Sequence, residues 1–147
     1  MSTTGLDVFD TTLQKTNTWL RELAEELDWE DNRHRVYLAL RSTLHALRDC
    51  ITPEEAVQLG AQLPMLIRGV YYDGWSLSET PRRIRDKNEF LARVHQDFNN
   101  NPQINPEQAV RAVFSLLSRK VSEGEIADIR GIMPKSLQDL WMAEVRK

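Results

Sequence analysis

The sequence predicts an all-α fold: two packed helical bundles related by an internal duplication, with about six to eight helices in total. Three observations point to it. Apolar residues recur at three- and four-residue intervals over long stretches, and no segment sustains the apolar–polar alternation of a half-buried strand. In addition, landmarks of the first half return in the second at an offset of 70 residues.

The first helix is written in Phe9, Leu13, Thr16, Leu20, Leu23 and Leu27, whose 4-3-4-3-4 spacing places them on one stripe. Arg21, Glu22, Glu25 and Glu26 fall on its wet face. Val36, Leu40, Leu44, Leu47 and Ile51 predict a second helix. Thr52-Pro53-Glu54-Glu55 then combines three start signals. Thr52 can cap a backbone N–H, Pro53 suits the first helical position, and Glu55 can reach back to close a capping box. Pro64 opens a further short helix towards Tyr72.

Shifted by 70, Thr52-Pro-Glu-Glu55 falls on Ser122-Glu-Gly-Glu125, Pro64 on Pro134 and Tyr71 on Trp141. Val110, Phe114, Leu117 and Val121 match Leu40, Leu44, Leu47 and Ile51, and one more residue of shift brings Trp19, Leu20, Leu23 and Leu27 onto Phe90, Leu91, Val94 and Phe98. Literal identity is low, so the paired caps and prolines carry the argument. The expected organisation is a single compact domain over 1–147, with repeat halves at about 7–72 and 86–145 joined by a connector at 73–85.

Composition narrows the class. A chain of 147 residues can bury about two-thirds of its unfolded surface. One cysteine excludes an intramolecular disulfide framework. No apolar run reaches the ~20 residues of a membrane span, and the first ten residues lack the basic and apolar regions of a signal peptide. The expectation is a soluble cytoplasmic domain that does not engage a membrane. A net charge of −3 gives no global attraction for nucleic acid, which is therefore not an expected partner.

No catalytic constellation assembles. Cys50 and His45 lie five positions apart, roughly 140° around a helix, so they do not share a face. Cys50 corresponds to Lys120 and reads as filler at a helix end. His45 with Asp49 has the spacing of metal ligands, as does Asp31 with His34, yet neither is a complete set. The counterparts of His45 and Asp49 are Ser115 and Arg119, so that pair reads as a solvated face. Glu25/Glu26, Glu30/Asp31 and Glu54/Glu55 sit at helix starts or on polar faces, where the positive helix N-terminus gives Glu54 and Glu55 a structural role. Gly-rich phosphate loops, nucleophile elbows and C-x-x-C pairs are absent. No enzyme, metal or cofactor is expected.

The connector, Tyr71-Tyr-Asp-Gly-Trp75-Ser-Leu-Ser-Glu-Thr80-Pro-Arg-Arg-Ile-Arg85, breaks the repeat. It gathers Tyr72, Trp75, Arg82, Arg83 and Arg85, the composition of interface hot spots and anion sites. Asp73-Gly74 signals a tight turn that would bring Trp75 to the seam between the halves. Two readings stay open: a binding patch, or a tryptophan plug with arginines paired to acidic helix faces.

Several strings carry a family resemblance: Leu44-His-Ala-Leu-Arg-Asp, Gln58-Leu-Gly-Ala-Gln-Leu-Pro-Met-Leu, Arg68-Gly-Val-Tyr-Tyr-Asp-Gly-Trp75, and in the second half Val121-Ser-Glu-Gly-Glu125, Met133-Pro134 and Leu140-Trp141. Over roughly residues 9 to 142 the chain resembles the bacterial family called domain of unknown function 2267. The resemblance implies an all-helical bacterial protein and supplies no catalytic residue or cofactor. The leading expectation is a non-enzymatic module for a protein partner or self-association, using Tyr72, Trp75, Arg82, Arg83 and Arg85. The alternative is a small anionic or apolar ligand held at the seam between the halves.

Overall fold

Eight α-helices build the protein in a computed structural model that describes residues 3–142: α1 (Asp7–Leu27), α2 (Arg33–Cys50), α3 (Pro53–Ala61), α4 (Met65–Tyr72), α5 (Lys87–Gln96), α6 (Pro106–Lys120), α7 (Glu123–Ile132) and α8 (Lys135–Gln138). Short 3-10 turns at Leu77–Glu79 and Asp139–Trp141 complete the set, and no strand occurs among the described residues.

The helix starts follow the side-chain chemistry of the sequence. Thr52 Oγ1 accepts from the Glu55 N–H at 3.2 Å, Ser122 Oγ from the Glu125 N–H at 3.3 Å, and Asp86 Oδ1 from the Glu89 N–H at 3.0 Å. Each satisfies one of the donors a helix N-terminus leaves open. Pro53 and Pro106 occupy first helical turns, where a missing N–H costs nothing. Pro64 and Pro134 stand immediately before α4 and α8.

The central pair is α2 and α6. Val36, Leu40, Leu44, Leu47 and Ile51 are all buried, as are Val110, Phe114, Leu117 and Val121, so both predicted stripes lie in the core. α1 packs along α6 and α2, α5 crosses both, and α3 touches α4 and α7, so the halves share one hydrophobic cluster. Phe114 stacks on Trp141 at 3.9 Å between ring centroids, and Phe90 leans on Phe114 at 5.9 Å. Polar bonds also join the halves: Lys120 Nζ reaches Glu22 at 2.7 Å, and the Gln62 amide both donates to Ser122 Oγ and accepts from its N–H.

The phase of α1 differs from the predicted one. Its buried positions are Thr12, Trp19, Leu23, Ala24 and Leu27, whereas Phe9 is 45% exposed and Leu13, Thr16 and Leu20 are half-buried. Trp19 turns inward with Leu23 and Leu27, and its large ring contributes a big share of the apolar surface that α1 buries. The Thr12 hydroxyl tethers α4 by accepting the Leu66 N–H at 2.9 Å. Among the described residues, no helix is long and apolar enough to cross a membrane.

Candidate functional site

α2 buries more than an apolar stripe. Every residue from Ser42 to Asp49 is buried, including His45, Arg48 and Asp49. This corrects the solvated-face reading of His45 and Asp49. A buried charge is tolerated only when paired and hydrogen-bonded, and His45, Arg48 and Asp49 each have partners, while Thr43 Oγ1 is buried without one. Arg48 is 3% exposed and grips the adjacent Asp49 through Nε at 2.7 Å and Nη2 at 3.2 Å. Arg93, arriving from α5, donates Nη2 at 2.8 Å to Asp49 Oδ2, the oxygen that Arg48 Nη2 also reaches. Burial raises the Asp49 pKa, but the Arg48 and Arg93 guanidiniums outweigh it and hold the carboxyl below its ordinary value.

This polar seat holds the connector. Arg48 Nη1 donates to the Tyr71 carbonyl at 2.8 Å and the Asp73 carbonyl at 2.9 Å. His45 Nε2 lies 2.7 Å from the Val70 carbonyl, and Arg41 reaches the Asp73 carboxylate at 3.6 Å. Further along, the Arg82 N–H donates to the Asp49 carbonyl. Burial depresses the His45 pKa, the Val70 bond opposes that, and the neighbouring Arg48 and Arg41 charges reinforce it. A neutral ring then donates its Nε2 proton to Val70.

The predicted patch lies along this tethered path. Gly74, with φ of 74°, makes the expected turn, closed by the Trp75 N–H donating to the Tyr72 carbonyl at 3.0 Å. Tyr72 is half-buried, with its ring edge-on to Tyr71 and 5.5 Å from Trp75. It also covers Gly60, where a Cβ would overlap the phenol. Trp75 is half-buried against the core, and its Nε1 is buried without a hydrogen-bond partner. Arg82, Arg83 and Arg85 are exposed. Arg82 makes a loose ion pair with Glu79 at 3.5 Å, while the Arg83 and Arg85 side chains have no acidic partner among the described residues. Leu77, 62% exposed, stands in the same stretch. Aromatics and arginines therefore divide, the rings seating the connector and the cations facing outward.

Cys50, at the end of α2, is held by a backbone contact. Its Sγ donates to the Leu47 carbonyl at 3.4 Å, and burial pushes the thiol up to about 12.

A second cluster escaped sequence reasoning. α3 and α7 meet near their N-termini, bringing Glu55, Glu125 and Asp128 carboxylate oxygens within 4.8 Å of one another. Burial, then Glu55, then Asp128 push Glu125 up to about 7. Sequence assigned Glu55 a return bond in its capping box, but its Oε2 is buried without a partner. The available signal was that Glu55 and Glu125 occupy equivalent positions at the 70-residue offset; nothing in the sequence said that α3 and α7 touch.

Two open grooves lie away from the connector. One, of about 960 Å³, runs between α1 and the α3–α4 junction, past Val8, Thr12, Met65 and Arg68. The other, of about 650 Å³, borders Arg111, Ser115 and Trp141.

Comparison with known families covers the helices and the connector alike: the profile of the uncharacterized conserved protein family DUF2267 matches residues 16–140. The chain belongs to this family. No curated protein matches it significantly. The DUF2267 match spans α2, the polar seat, the connector and the Glu55–Glu125–Asp128 cluster together.

Proposed function

We propose that the protein is a non-enzymatic interaction module, presenting its connector to an acidic face of a protein partner or of a second copy. The observation that carries this reading is the contrast within one segment. The connector backbone is tied to α2 at Tyr71, Asp73 and Arg82, and at Arg85 its N–H donates to the Glu89 carboxylate, yet the exposed Arg83 and Arg85 side chains make no ion pair among the described residues. A tethered backbone lowers the ordering cost of binding, and arginine forks are suited to bidentate carboxylate recognition. Trp75 and Tyr72 brace the surface from below, and Leu77 adds an apolar contact. The same proposal takes the two halves as an internal duplication, with α2–α3–α4 answered by α6–α7–α8 and the connector as the segment that departs from the repeat. It also places the protein in the bacterial cytoplasm, where a free Cys50 stays reduced.

The reading without catalysis is supported by the commitments of the nucleophile and base: Cys50 donates to a backbone carbonyl and His45 to another, so neither faces the other. A small ligand at the seam between the halves is the second reading. The connector surface supports the interaction module better, because neither groove described above is lined by Trp75, Arg82, Arg83 or Arg85.

Native mass spectrometry of the protein with its associated chains tests the proposal, comparing wild type with Arg83→Glu/Arg85→Glu. The expected result is a complex, either a multiple of 17.1 kDa or a hetero-complex, that the double variant loses. A bare 17.1 kDa wild-type chain, or a complex indifferent to the charge reversal, contradicts it.

A further inference from the structure

Glu125 lies on α7, is 7% exposed, and its Oε1 is buried with no hydrogen-bond partner. Its place in a capping box is taken by another group. The Ser122 N–H, which a capping-box glutamate would accept, instead donates to Gln62 Oε1 at 2.8 Å. The Glu125 carboxylate turns to α3, where Glu55 Oε2 is likewise buried without a partner. Asp128, one helical turn after Glu125 and exposed, completes a set of three carboxylates with oxygens within 4.8 Å of one another.

No Lys, Arg or His ion-pairs with any of the three among the described residues. Three carboxylates gathered without a counter-charge are costly, and more so when two of the oxygens are dry. The positive ends of α3 and α7 offset part of that cost.

We propose that Glu55, Glu125 and Asp128 form a binding site for a hard divalent cation. The chemistry of the donors sets the class: three carboxylate oxygens with no imidazole or thiolate suit Ca²⁺, Mg²⁺ or Mn²⁺ and not a soft transition metal. The spacing fits as well, since oxygens on opposite sides of Ca²⁺ stand about 4.6–5.2 Å apart and those across Mg²⁺ about 4.2 Å. The exposed side of Asp128 leaves an entry path and room for water ligands. With three protein ligands, the affinity is modest, with a Kd on the order of 10⁻⁴–10⁻³ M. Such an ion would join α3 to α7, one from each half of the chain. The site does not involve the connector, so it stands or falls independently of the interaction proposal.

The test is isothermal titration of chelator-stripped protein with CaCl₂, MgCl₂ and MnCl₂ separately, for wild type, Glu125→Gln and Asp128→Asn. Binding at one ion per chain is expected for at least one salt, and the salt that binds distinguishes a calcium-sized from a magnesium-sized site. Each substitution should weaken that binding by about tenfold or more, with helical circular dichroism unchanged. Asp128 is exposed, so Asp128→Asn keeps the test valid even where Glu125→Gln perturbs folding. Absence of one-to-one binding with all three salts up to about 10 mM overturns the proposal. So does binding that the Asp128→Asn variant retains in full.

Discussion

At the scale of single residues, the fold depends on a few charges placed where charges are seldom found. Asp49 holds Arg48 and Arg93 together beneath the connector, and His45 sits beside them as a neutral donor to Val70. Both groups make stability depend on acid in the same direction. The His45 pKa is lowered from 6.5, so the folded state resists protonation; its contribution is whole above pH 6.5 and is lost as pH falls towards the depressed value. The Asp49 pKa is lowered from 3.8, so its contribution is whole above that value and lost only in stronger acid. Between pH 7.5 and 5 the His45 loss runs against a gain from Glu125, whose raised carboxyl stabilises the fold as it takes up a proton, so thermal melts of His45→Gln should shift towards greater relative stability in acid than those of wild type. Equal slopes for the two proteins would remove His45 from the account.

None of this polar seat was legible in the sequence. Charged residues are exposed by default, and His45 and Asp49 have surface-type counterparts at the 70-residue offset. What defeats the default is the central position of α2, which places Arg93 of α5 and the Tyr71 carbonyl of α4 against its polar side. Those contacts span 44 and 23 residues of sequence, beyond what local spacing reports. Glu125 was hidden for a related reason, since its capping-box position gave it a sufficient local role.

Helical elements were far more legible. Thr52 and Ser122 cap the helices they were expected to start, and the stripes of α2 and α6 are buried throughout. These signals are local: a cap needs only the N–H groups two or three residues ahead of it. The rotation of α1 about its axis is not local, because it depends on which neighbour the helix meets. The observed phase makes a clear prediction. Trp19→Ala should destabilise the protein by about 3–5 kcal/mol, and Phe9→Ala by less than about 0.5 kcal/mol. Chemical denaturation of the two variants checks the ranking, and comparable losses would restore the stripe read from sequence.

Across the whole molecule, a helical body carries a connector that is anchored at its backbone and turns Arg83 and Arg85 outward. The segment was picked out in the sequence because it departs from the repeat proposed there, but the division of labour within it needed the structure. Tyr72 and Trp75 are half-buried bracing, while Arg83, Arg85 and Leu77 form the outward face. The measurement that addresses this claim most directly is photo-crosslinking in living cells, with a benzophenone amino acid at Leu77 and, as a control, at the similarly exposed Val57 on α3. The account predicts a discrete crosslinked species from position 77, to another chain or to a second copy, that is missing from position 57 and abolished by Arg83→Glu/Arg85→Glu. The absence of any crosslink at 77, or the same species from both positions, would contradict it.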